Sequence, residues 1–252
     1  MKTTMISVVR GVLVVCAVLV AAGCIKINTT LTLKADGSGT WKLVYAMPTH
    51  MIRQVQLATE LAADLEKAGS ATLTNRVVKP LDIPMIFDEK AVRARFAPLE
   101  REGITLSKLQ TRSRSGWQYV EMTVEFSRFE TLVRQRFFED CGISFRQTAP
   151  NVYKLVVSLP AGDDGERPDF SDPGVDAELA PFMKGLVVMV DVALPGTVRN
   201  SNSTLSDARH ASWQWDSEKD TKAVEQLLKD KMIVVFESAD VQIKDFDKPV
   251  AR

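Results

Sequence analysis

The chain has 252 residues, 45% of them hydrophobic, and its 32 Lys and Arg balance 32 Asp and Glu to a formal net charge of zero. That balance excludes the basic surplus that drives nucleic-acid binding, and the apolar share excludes a disordered polyelectrolyte. Three cysteines, Cys16, Cys24 and Cys141, limit what covalent cross-links could contribute.

The N-terminus reads as an export signal. Lys2 and Arg10 are its positive region, Val12 to Val20 its apolar core, and Ala21, Ala22 and Gly23 the small residues a signal peptidase must admit. Cys24 follows them directly, so residues 1–23 are expected to be a lipoprotein signal peptide of the bacterial kind. The Cys24 thiol is then the lipid attachment point. Ala21 stands where Leu is usual, while the core Ala22-Gly23-Cys24 is intact. A plain secretory signal with an incidental cysteine and a membrane-spanning anchor are the alternatives. The uninterrupted apolar run from Gly11 to Ile25 is 15 residues, against roughly 20 for a helix that crosses a bilayer. Loss of Lys2 and Arg10 takes the mature chain, residues 24–252, to a formal charge of −2. Cys141 is then its only thiol, so the apolar core alone must hold the fold. No Asp follows Cys24 as an inner-membrane retention signal. The expected location is the extracytoplasmic side of the envelope, on the periplasmic face of the outer membrane in a cell with two.

The first strand is expected at once. Ile25, Ile27, Thr29, Leu31 and Leu33 alternate with Lys26, Asn28, Thr30, Thr32 and Lys34, a period of two. Asp36-Gly37-Ser38-Gly39 turns the chain into a second strand with Trp41, Leu43 and Tyr45 on one face. Pro48 and Thr49 open a helix to about Ala68, ended by Gly69. Asp88 caps a second helix, whose stripe is Val92, Phe96 and Leu99, with Pro98 to shorten it and Gly103 to end it. Strands follow at Ile104 to Arg112 and Trp117 to Phe126. Ser127 and Glu130 stand at capping-box spacing before a helix with Phe129, Leu132, Val133 and Phe137 inward.

A hairpin is expected next, Ile143 to Gln147 and Val152 to Leu159, turning through Ala149-Pro150-Asn151. Residues 161–173 carry Asp163, Asp164, Glu166, Asp169 and Asp172 with two prolines, and read as a solvated acidic loop. A short helix is placed at Val175 to Met183. Leu186 to Leu194 is the most apolar strand of the mature chain and is expected to be central. Trp213 and Trp215 mark another strand. Ser217 and Asp220 cap a helix carrying Val224, Leu227 and Leu228, Met232 to Glu237 is the last strand, and residues 240–252 read as a polar tail.

Hairpins separated by single helices imply an α+β fold, an antiparallel sheet with helices packed mainly on one face. The strands flanking the acidic loop are expected to pair, which makes residues 24–252 one domain.

Several of these patterns coincide: a cysteine at the start of a strand, the turn Asp36-Gly37-Ser38-Gly39, the run Leu194-Pro195-Gly196-Thr197-Val198, then Ser201-Asn202 and a strand Trp213. This arrangement resembles the LppM-type family of bacterial envelope lipoproteins. The resemblance implies an α+β domain facing the envelope compartment and a lipid or glycolipid ligand. It covers the two ends of the chain better than the middle.

Catalytic and metal chemistry find little to work with. His50 and His210 are the only histidines, and neither sits in a zinc motif. No nucleophile elbow is present, and no glycine-rich loop opens a helix for a phosphate. The acidic loop lacks EF-hand spacing. No cofactor, metal or catalytic residue is expected. Arg134 and Arg136 beside Phe137 and Phe138 could touch lipid headgroups or simply be the exposed side of a packed helix. The residues point to a noncatalytic lipoprotein, held to the membrane through acylated Cys24, that binds lipid or another amphipathic ligand; nucleic acid is not a partner. The alternative is a module that docks another envelope protein through an apolar patch around Trp213 and Trp215.

Overall fold

A computed structural model describes residues 25–54, 56–57, 87–138, 141–158 and 185–248. Among them are twelve strands in two sheets. Strands β1 (Lys26–Leu33) and β2 (Gly39–Pro48) form the expected hairpin, with Lys26 opposite Ala46 and Leu33 opposite Gly39. The turn is held by Asp36, whose carboxylate accepts from the Ser38 amide at 2.9 Å, and by Gly37 at φ 83°, a conformation glycine adopts without steric cost. A Cβ on Gly39 would lie 2.0 Å from the Thr32 carbonyl oxygen.

Strand β2 pairs with β4 (Trp117–Phe126), and β4 pairs with the edge strand β3 (Ile104–Arg114). On its other side β1 runs parallel to β7 (Val187–Ala193), which pairs with β10 (His210–Asp216) and through it with β9 (Leu205–Ser206). The order is β3-β4-β2-β1-β7-β10-β9. The second sheet has the order β12-β5-β6-β11-β8, from β12 (Phe246–Lys248), β5 (Gly142–Ala149), β6 (Val152–Ser158), β11 (Lys231–Glu237) and β8 (Thr197–Ser201).

The helices are short. A first helix, α1, opens at Thr49 as expected and is helical at 49–54 and 56–57, with Met51 and Ile52 buried; its continuation toward Ala68 lies outside the described residues. Helix α2 (Glu89–Phe96) is capped by Asp88, whose Oδ1 accepts from the amides of Lys90 and Ala91 at 2.8 and 3.3 Å. Pro98 converts the next turn to a 3-10 helix, Ala97–Glu102, which Gly103 ends at φ 78°. Helix α3 (Phe129–Val133) and helix α4 (Ala223–Lys229) add Phe129, Leu132, Val133, Ala223, Val224 and Leu227 to the core.

Six expectations are corrected. The sheet is two sheets, between which the chain crosses after β4, β6, β7, β8 and β10, and the β1–β7 pair is parallel. Strands β6 and β7, which flank the acidic loop, therefore do not pair with each other. Ser127 does not cap α3; Arg128 takes the N-cap position without a side-chain hydrogen bond, and the Ser127 amide donates instead to the Gly103 carbonyl at 2.9 Å. Lys222, not Ser217 or Asp220, takes the N-cap position of α4, although Asp220 accepts from the Lys222 amide at 2.8 Å. Phe137 is not wholly inward; it is 36% exposed and stacks on Phe96 at 4.7 Å. The polar tail contains a strand: Phe246 is buried against Phe129 and Phe145, and Asp247 meets Arg146 at 2.6 Å. Strand β7 is interior to its sheet, as its composition suggests. The acidic loop expected at 161–173 and the helix expected at Val175 to Met183 lie outside the described residues.

The inner face of the large sheet is thus covered largely by the second sheet. Leu31 of β1, Trp41 of β2, Val190 and Val192 of β7 and Trp213 of β10 face Leu155 and Val234 of the second sheet, while Tyr45 of β2 packs on Phe87 ahead of α2. Burying a side chain of this size stabilises by about 1.5–3 kcal/mol. An aromatic stack of Phe145 with Tyr153 at 5.7 Å and Phe246 at 6.2 Å anchors the smaller sheet.

Candidate functional site

A cavity of about 140 Å³ lies between the sheets. Thr29, Leu31, Trp41, Val190, Val192 and Trp213 line it from the large sheet, Ile143, Leu155, Val157, Met232 and Val234 from the small one, and Phe129, Leu132, Val133, Phe138 and Cys141 from the α3 segment. It is partly open to the surface, and its wall is almost wholly apolar. Asp191 also borders it, but alternation along β7 puts its carboxylate on the opposite face of the sheet, where it accepts a hydrogen bond from Ser212 Oγ. No charge therefore points inward from that strand.

The polar atoms of the wall are already engaged. Trp41 Nε1 donates to Thr29 Oγ1 at 2.7 Å, and Trp213 Nε1 donates to Asn202 Oδ1 at 3.1 Å. Asn202 also accepts from the Ile233 amide at 2.8 Å and donates to the Lys231 carbonyl at 2.6 Å. This one side chain staples β10 of the large sheet to β11 of the small one. The sequence run 194–202 acquires a physical role here. Pro195-Gly196 turns the chain out of β7 and into β8, and a Cβ on Gly196 would lie 2.1 Å from the Glu237 carbonyl oxygen, so close approach of the two backbones requires glycine there. Tyr45, on the same inner face, meets Phe87 edge-on at 5.2 Å. Burial pushes its phenol well above the ordinary tyrosine range, so it stays neutral.

The residues singled out in the sequence are distributed unevenly. Cys24, Ala21, Ala22 and Gly23 precede the described chain. Trp213 and Trp215 are 4% and 7% exposed, so the apolar patch expected around them is absent; both point into the core. His50 is exposed, and His210 Nδ1 lies 2.9 Å from Asp207 Oδ1 at the surface. Arg134 pairs with Glu130 at 2.7 Å on the outside of α3, while Phe138 turns inward onto Trp41 at 4.9 Å. Cys141 is half-buried and forms part of the cavity wall. The period-two alternation of β1 carried the signal for Thr29 and Leu31; nothing local in the sequence placed Cys141 or Met232 beside them.

Among the described residues no helix is long and apolar enough to cross a membrane, and no cluster of His, Cys, Asp or Glu is arranged to hold a metal ion. No family model and no curated protein matches the sequence. Among solved structures, the folded domain of LppM from Mycobacterium tuberculosis, determined by NMR, aligns with 87% of this chain and 93% of its own length. The identity is 11% and the TM-score 0.43, a distant structural relation.

Proposed function

We propose that this protein is a noncatalytic lipoprotein of the bacterial envelope, tethered through acylated Cys24, that takes an apolar portion of a lipid or amphipathic ligand between its two sheets. The observation that carries this reading is the inter-sheet cavity. An apolar wall offers little to a polar substrate and a favourable environment to a hydrocarbon segment. Its volume is on the scale of the ~150 Å³ apolar cavity that admits benzene in an engineered protein. It therefore suits one ring or the end of one acyl chain, with the rest of the ligand leaving through the opening.

Native mass spectrometry of the body from residue 25 onward, purified without detergent and then solvent-extracted, tests the reading. A stoichiometric co-purifying lipid is expected, and Val190→Phe, which fills the cavity from β7, should abolish it while the protein remains folded. A clean apo mass for the unsubstituted chain would count against ligand binding. Acylation is tested separately: Cys24→Ser should release the protein from the membrane fraction.

A further inference from the structure

Four strands of the large sheet come together at one end. Strand β1 begins there at Lys26. Pro48, the last residue of β2, faces Trp117, the first of β4, and Trp117 faces Arg114, the last of β3. Ser115 and Gly116 close the β3–β4 hairpin at φ 52° and 77°, the left-handed pair of a type I′ turn. The Gly116 carbonyl is tied back to the chain by the Thr49 amide at 2.8 Å.

The register sorts the side chains of these four strands. On the outer face, away from the cavity, lie Lys26, Lys42, Lys108, Arg112 and Arg114, against Glu121 and Glu125. Glu121 sits among three of these cations, 2.8 Å from Lys108, 2.7 Å from Arg112 and 3.5 Å from Lys42. Lys26 and Arg114, at the extreme end, are exposed and have no carboxylate partner among the described residues. Lys26 Nζ lies 4.7 Å over the ring of Trp117, and Trp117 lies beside Tyr119 at 6.4 Å. Trp41, Trp213 and Trp215 are buried, whereas Trp117 is half-exposed on this face.

We propose that this corner docks on the headgroup layer of an anionic phospholipid membrane, with Lys26, Arg112 and Arg114 toward the phosphates and Trp117 and Tyr119 at the interface. The proposal rests on the reading of Cys24 as the acylated residue. Two trans peptide units separate Cys24 from Lys26, so their Cα atoms cannot be more than ~7.6 Å apart. Acyl chains on Cys24 would hold this end of the sheet at the bilayer surface, with β4 and β10 each two strands from the anchor. Cations against anionic lipid and aromatic rings at headgroup depth are the side chains such a surface favours. The same end of β10 carries Asp216, and Glu218 and Asp220 follow it, with Lys219 paired to Asp216 at 2.9 Å and Lys222 beyond, a slight acidic excess four strands from β4 and so about 19 Å away. The sheet should therefore lean onto its β3–β4 side. Docked this way, Thr29 at the cavity lies roughly 10 Å along β1 from Lys26, within reach of a lipid from the same membrane.

The full mature chain, purified from its own membranes and reconstituted into phosphatidylcholine vesicles with or without phosphatidylglycerol, tests this. Brominated phospholipids quench only tryptophans that reach the bilayer, and intact mass on the same sample reports the acyl group. The expected result is an acylated chain quenched in phosphatidylglycerol vesicles. That quenching should lose its Trp117 share in Trp117→Phe, leaving only what a brominated chain inside the cavity takes from Trp41 and Trp213, and should fall several-fold in Arg114→Glu or at high salt. An acylated chain that is not quenched, or quenching unchanged in both variants, overturns the docking and leaves the anchor standing. A chain without the acyl group overturns the anchor; quenching that still depends on Trp117 and Arg114 would then support docking through the corner alone, and its absence would end both.

Discussion

The two faces of the large sheet are built from the same strands and do opposite things. Along β1, Ile27, Thr29, Leu31 and Leu33 turn inward to the second sheet, while Lys26, Asn28, Thr30 and Thr32 turn outward. The inner face is apolar, aromatic-rich and covered largely by a second layer. The outer face is a lattice of threonines, cations and the Glu121 network. Stability should therefore reside almost entirely on one side and charge-dependent behaviour on the other, because burial removes apolar area from water whereas exposed ion pairs gain little.

The sharpest break in that comparison is Phe145→Ala. Phe145 is 0% exposed and stacked between Tyr153 and Phe246, so its truncation should cost about 3–5 kcal/mol. Thr30→Ala, on the outer face, should change stability by no more than about 0.5 kcal/mol. Denaturant midpoints of the two variants measure the contrast, and equal losses would contradict the division. Next in size is Gly39→Ala, where the added methyl meets the Thr32 backbone; an overpacked contact of this kind costs about 1–3 kcal/mol. Asp88→Ala removes the cap of α2 and should cost about 1 kcal/mol, with a local loss of amide protection at Lys90 and Ala91.

The smallest expected effect sharpens the outer face. The hydrogen bond from Lys108, with the nearby charges of Lys108 and Lys42, holds the Glu121 carboxyl below the usual glutamate range. A native pKa below the unfolded one means that the unfolded state binds the proton more readily. The contribution of Glu121 is thus present above the ordinary glutamate range and is lost as pH falls through the lowered native value. Glu121→Gln should destabilise by no more than about 1 kcal/mol at neutral pH. The difference from the unsubstituted protein should shrink in high salt and at strongly acidic pH. A difference that persists in acid would mean that Glu121 acts through packing and not through charge.

Much of the local structure was legible because it is encoded locally. The β1–β2 hairpin followed from alternation and from the Asp36-Gly37-Ser38-Gly39 turn, and α2 from Asp88 before a helical stripe. Strands β3 and β4 lie where strands were expected, at Ile104 to Arg112 and Trp117 to Phe126, with β3 two residues longer. What failed depended on distant partners. Phe246 sits in a stretch of charged neighbours, and only Phe129 and Phe145, far away in the chain, make it part of a strand. Ser127 and Glu130 had the right spacing for a capping box, but the Ser127 amide is committed to Gly103, so the competing contact prevails. Trp213 and Trp215 were legible as strand residues but not as core residues, since alternation assigns two faces without saying which one a second sheet will cover.

The sequence by itself determined the elements, their turns, the charge of each strand face and the placement of a single cysteine ahead of the first strand. These are short-range properties, set by side-chain period and backbone preference. The tertiary structure alone decided that β1 runs parallel to β7 and that the chain divides its strands between two layers. It also decided that Asn202 joins those layers around an apolar cavity, and that Lys26, Arg114 and Trp117 share one corner. Those relations arise from contacts between residues that no local pattern links, and they are fixed only when the whole apolar surface is buried at once.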